Sequence, residues 1–160
     1  MGPVRIFVAL TLCSLVVSAS ASGIGTPVPM TLKGSQTFYV SGRIADVEPT
    51  EFMVDTGSSY LTINQITLTQ MEAGGQVEYL RDLIAVLANG EELVMPVYRV
   101  PKMVIGDRCE LFDIEAVVFP GETRQILGLS ALRKAAPFSF SVEPPQLRLS
   151  NCVQRLSQSD

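Results

Sequence analysis

The stretch EFMVDTGSSY, Glu51 to Tyr60, holds the residues best suited to chemistry. Phe52, Met53 and Val54 run into an acid, Asp55, and Thr56, Gly57, Ser58 and Ser59 follow directly. A carboxylate fixed at the end of an apolar strand can take a proton or, when protonated, give one. The chain has no histidine, so a Ser-His-Asp triad and a Cys-His dyad are excluded as usually built. A histidine-containing zinc site is excluded too, and Cys109 and Cys152, the two cysteines beyond the N-terminal segment, cannot make a four-cysteine site. Carboxylates are therefore the leading candidates for any chemistry. The plain alternative is a strand ending in a turn, since Asp, Thr, Gly and Ser are all turn residues. Asp-Thr-Gly arises by chance in about 3% of chains of this length, so the rest of the sequence has to decide.

The elements that would position Asp55 are mostly short strands. Thr31–Lys33 and Thr37–Ile44 flank Gly34-Ser35 as a hairpin, and Glu48-Pro49 turns the chain into Glu51–Val54. Leu61–Ile63 continues beyond the turn as a strand. Asn64 to Ala73 reads as a short helix capped by Asn64 and stopped by Gly74-Gly75. Arg81–Ala88 and Glu91–Val100 form a long hairpin across Asn89-Gly90, a pair suited to the two positive-φ positions of a type I′ turn. Cys109–Phe119 is a further strand region. A second apolar run ends at Ile126-Leu127-Gly128 and leads into a helix over Leu129–Ala135. Alone it is a buried strand and a glycine turn. Phe138–Val142 and Gln146–Leu149 close the chain as a hairpin. Strand signals about every ten residues predict an all-β barrel or sandwich with one or two short helices.

The N-terminus has a different character. One basic residue, Arg5, precedes the apolar run Ile6–Val17, and Ala19-Ser20-Ala21 supplies small residues for cleavage. That layout predicts a signal peptide over residues 1–21, and hence a periplasmic or secreted protein. The apolar run is about 12 residues, short of the roughly 20 that span a bilayer as a helix. An uncleaved membrane anchor is the alternative. Residues 22–30 read as a flexible lead-in, 31–152 as one domain and 153–160 as a tail. The net charge of −4 and pI near 4.8 argue against a nucleic-acid partner. In an oxidising compartment Cys109 and Cys152 are candidates for a disulfide, with two separate buried thiols as the other reading.

Taken together, the two motifs resemble the retropepsin-like aspartic proteases, most closely their bacterial, exported single-domain branch. Val54-Asp55-Thr56-Gly57-Ser58-Ser59 resembles the catalytic element and Ile126-Leu127-Gly128 the apolar segment packed beneath it. The hairpin around Ala88, Asn89 and Gly90 stands where the family has its flap, and FSFSVEPPQLRLS resembles the closing hairpin. The resemblance covers about residues 30 to 151. It implies a retropepsin-like closed β-barrel, the half-domain of an acid protease. It implies Asp55 as the catalytic acid, supported by Thr56, Gly57, Ser58, Ile126, Leu127 and Gly128. The Thr56 hydroxyl would bond across to its counterpart, and Ser58 would help hold Asp55. No metal or organic cofactor is implied, because an activated water is the nucleophile.

The family's chemistry needs two carboxylates sharing one proton. Asp46, Asp82, Asp107, Asp113 and Asp160 are not followed by Thr-Gly or Ser-Gly. The resemblance therefore implies a homodimer in which two Asp55 residues meet at a two-fold axis, acting on a peptide or an unfolded protein. Two other readings stay open: a non-catalytic retropepsin-like domain that binds peptides or scaffolds an envelope assembly, and an unrelated secreted β-barrel with a DTGSS turn.

Overall fold

The computed structural model describes residues 25–34, 36–86 and 88–153. The expected signal peptide and residues 154–160 of the expected tail lie outside them. The elements run β1 (Thr26–Pro29), β2 (Thr31–Lys33), β3 (Thr37–Ile44), β4 (Thr50–Val54), β5 (Leu61–Asn64) and α1 (Gln65–Ala73). There follow β6 (Glu78–Val86), β7 (Glu92–Ile105), β8 (Cys109–Phe119), β9 (Gln125–Leu127), α2 (Leu129–Leu132), β10 (Phe138–Ser141) and β11 (Gln146–Leu149).

Six strands close into a ring. Around it β3 pairs with β4, β4 with β9, β9 with β5, β5 with β8, β8 with β7, and the far end of β7 returns to β3. The expected closure of mostly short strands into a ring is thus observed. Burial explains the order. β5 sits between β8 and β9 with Leu61, Thr62 and Ile63 all buried, as a strand covered on both faces must be. Phe52, Ile44, Ile63, Met103, Ile105 and Leu127 fill the interior.

Several boundaries differ from the sequence reading, each for a local reason. Thr26–Pro29 is not a flexible lead-in: it pairs antiparallel with β11, which also pairs with β10, making a second, three-stranded sheet. Pro27 and Pro29 are tolerated because β1 is an edge strand. The helix expected over Leu129–Ala135 stops at Leu132. Beyond it, the Ala135 carbonyl accepts from the Ser150 and Asn151 N–H groups rather than continuing a helix. Val153, placed at the start of the tail, exchanges backbone hydrogen bonds with Glu110. The disulfide forms between Cys109 and Cys152, Cα–Cα 4.8 Å apart. It holds the chain's end against β8 and closes a loop worth about 3–4 kcal/mol in the chain-entropy model.

The last pair among the described residues of the long hairpin β6–β7 is Val86 opposite Glu92, a register in which Asn89 and Gly90 cannot be the two central residues of a two-residue turn. Gly90 has φ +84°, but Asn89 is not left-handed. The Asn89 side chain instead accepts from the Glu91 N–H at 3.1 Å and donates to the Glu91 carboxylate at 2.7 Å, a local turn that competes with the type I′ geometry.

Candidate active site

Asp55 stands at the end of β4, and three strands converge there. β4 and β9 run parallel, with Met53 opposite Ile126 and Val54 opposite Leu127. β5 meets β9 from the other side, Thr62 opposite Ile126. The Asp55 N–H donates to the Leu127 carbonyl at 3.2 Å, so β9 fixes the residue's backbone directly. The Asp55 carbonyl accepts from the Ser58 N–H at 3.3 Å, closing the turn. Its carboxylate Oδ1 accepts from the Gly57 N–H at 2.8 Å. A backbone donor in this position fixes the orientation of the carboxylate.

The loop is held from below by the start of α2. The Ser58 carbonyl accepts from the Leu129 N–H at 2.8 Å, and the Ser59 carbonyl from the Ser130 N–H at 3.0 Å. Gly128 makes this possible. A Cβ built on it would lie 2.0 Å from the Tyr60 carbonyl oxygen and 2.9 Å from that of Ser58. No side chain fits there, and Ile126-Leu127-Gly128 lies against the loop that carries Asp55. Ser58 differs in detail from its expected role. Its hydroxyl donates to the Tyr60 carbonyl at 3.0 Å, so it supports Asp55 through its backbone N–H. Thr56 is exposed beside the acid.

Asp55, Gly57 and Ser58 line a cavity of about 420 Å³ whose roof is the β6–β7 hairpin. The roof residues are Leu83, Ile84, Ala85, Val86 and Met95, with Val117, Phe119 and Ile126 forming apolar walls. Ala88, Asn89 and Gly90 form the hairpin tip and do not line this cavity. Asp55 is the one carboxylate among its lining residues. Ile84 and Val86 are 65% and 70% exposed, which leaves the roof's apolar face open to a ligand. A second, largely apolar cavity of about 480 Å³ adjoins the first through Thr62, Phe119 and Ile126, with Met53 and Arg124 on its wall.

Sequence reasoning missed the residues that hold the roof to the loop. Arg81 on β6 donates two hydrogen bonds to Glu115 on β8, at 2.6 and 3.1 Å, and one to the Tyr60 hydroxyl at 3.3 Å. The Arg81 guanidinium holds the Glu115 carboxyl below its ordinary range, against the opposing effect of partial burial. The pairing shifts by one residue between Tyr79 and Arg81. Such a bulge re-aims the side chains beyond it. Ser130 was missed as well. Its hydroxyl accepts from the Leu61 N–H and donates to the Glu115 carbonyl, both at 2.7 Å. It thereby joins α2, β5 and β8 beneath the site. Among the described residues, no group of three or more His, Cys, Asp or Glu side chains could hold a metal ion.

The sequence profile of a family described as aspartyl protease matches residues 40–131, from β3 through Asp55 to α2. Among solved structures, that of a retropepsin-like aspartic protease from Rickettsia conorii is similar in fold. Its TM-score is 0.55 at 21% identity, and the match covers 78% of this chain and 90% of that one. No curated protein matches the chain.

Proposed function

The chain belongs to the aspartyl protease family, and from that premise we propose that it is an exported endopeptidase working as a homodimer. The observation that carries this reading is the setting of Asp55. The residue is half-buried, its carboxylate is held at 2.8 Å by the Gly57 N–H, and it lines a cavity roofed by apolar side chains.

Peptide hydrolysis through carboxylates needs two of them at short range. One, ionised, takes a proton from water as it attacks the carbonyl carbon. The other, protonated, donates to the carbonyl oxygen as the tetrahedral intermediate forms. Like charges so close cannot both ionise, so the pair retains one proton. The cavity of one chain provides one carboxylate, and Asp55 of the partner subunit would provide the other. Thr56, exposed next to Asp55, is placed to meet the partner subunit in such an arrangement. The expected signal peptide supports action in the periplasm or outside the cell.

The test is hydrolysis of an unfolded protein by the wild type and by Asp55→Asn. The variant should lose at least about a thousandfold in rate while keeping its thermal midpoint. Equal cleavage by the two purified proteins would refute the assignment.

A further inference from the structure

Behind Tyr60 lies a polar cavity of about 510 Å³ that the proposed chemistry does not use. It shares Ser59 and Tyr60 with the cavity at Asp55, so the two adjoin at these residues. Its other walls carry charge: Arg99, Asp113, Glu115, Arg133 and Lys134.

The charges do not cancel. Glu115 is taken by Arg81 at 2.6 Å. Asp113 is taken by Arg99 and, at 3.6 Å, by Lys134. Arg99 also meets Glu78 at 2.9 Å. Arg133 forms no ion pair with a carboxylate among the described residues. The cavity thus has a surplus cation although the chain as a whole carries a net −4. The fold arranges this locally. Asp113 has φ +56° and lies across the sheet from Pro101, which has no N–H to pair with it. Phe112 and Asp113 are both exposed, between the buried Leu111 and Ile114. The Asp113 carboxylate pairs with Arg99 and Lys134. The Tyr60 oxygen accepts from Arg81, which leaves its own O–H free to donate. Ser59, an exposed residue, lines the same cavity.

We propose that this cavity is a specificity subsite for an acidic side chain of the peptide substrate, with Arg133 as the counter-charge and the Ser59 and Tyr60 hydroxyls as neutral donors. The inference rests on the protease reading. A peptide laid over Asp55 in extended form advances about 3.3 Å per residue, so a Glu moved along the peptide samples successive distances from the scissile bond. Arg suits the task because its planar fork matches a carboxylate.

Binding rather than turnover separates this claim from the catalytic one. The Asp55→Asn protein is titrated, by fluorescence polarisation, with capped peptide pairs differing only by Glu or Gln at one position, moved along the sequence. Capping leaves the side chain as the peptide's one carboxylate. At one position the Glu peptide should bind about fivefold more tightly, the range of a partly exposed ion pair. The preference should weaken with added salt. It should vanish when Arg133→Gln is added and persist in reduced form with Arg133→Lys, which keeps the charge but not the fork. No position preferring Glu, or a preference untouched by Arg133→Gln, would overturn the subsite. Discrimination by Arg133 together with full cleavage by Asp55→Asn would instead overturn the catalytic reading and leave the subsite standing.

Discussion

Gly128 lies directly against the Tyr60 backbone, so closely that a Cβ on Gly128 would come within 2.0 Å of the Tyr60 carbonyl oxygen and 2.6 Å of its carbon. The atoms in the way belong to the main chain and cannot swing aside. Gly128→Ala should therefore cost about 3 kcal/mol or more. The thermal midpoint should fall by about 10 °C, with activity lost through displacement of the loop bearing Asp55. An unchanged midpoint would show that α2 does not support this loop as described.

Ser130 is a smaller but more specific support. Its hydroxyl satisfies the N–H of Leu61, a residue fully removed from solvent, and reaches the Glu115 carbonyl. Ser130→Ala leaves a buried donor without its partner, at a cost of about 2 kcal/mol. Urea unfolding should show a lower midpoint with an unchanged slope.

The Arg81–Glu115 pair gives the roof's anchorage a pH dependence. Arg81 places the Glu115 carboxyl below its ordinary range. A carboxyl lowered by folding stabilises the protein above its unfolded pKa, and that contribution disappears as pH falls through the folded value. The wild type should thus exceed Glu115→Gln in stability near neutral pH. The excess should be at most about 1 kcal/mol, because both side chains are over two-fifths exposed. The gap should close between about pH 5 and pH 3. Urea midpoints for both proteins across that range are the measurement, and a gap constant with pH would show that the ion pair contributes nothing.

Much of this architecture was legible in residue order, and the parts that were not share a cause. β2, β3 and β8 match their expected bounds, because turn residues such as Gly34-Ser35, Gly106-Asp107 and Pro120-Gly121 mark their ends. The α1 cap was legible too: the Asn64 side chain accepts from the Thr67 N–H at 2.9 Å, a local bond between residues close in sequence. Asp55 and the Ile126-Leu127-Gly128 segment could be found because their residue types are spelled out consecutively. Arg81, Glu115, Ser130 and Arg133 could not. Their roles depend on strands far apart in sequence coming side by side, and on a one-residue bulge that no turn residue announces. β1 was hidden for the same reason, since its partner β11 lies at the opposite end of the domain.

The central claim is that two Asp55 residues from two chains form one active site. The most direct measurement mixes subunits. Wild-type and Asp55→Asn chains, unfolded together and refolded at equal concentration, pair at random. A mixed dimer has a single ionisable Asp55 and cannot share a proton between two. Activity per wild-type subunit should then fall to about half, because only the wild-type pairs keep both acids. Activity per wild-type subunit that stays unchanged after mixing would contradict the account, and would place a complete active site within each chain.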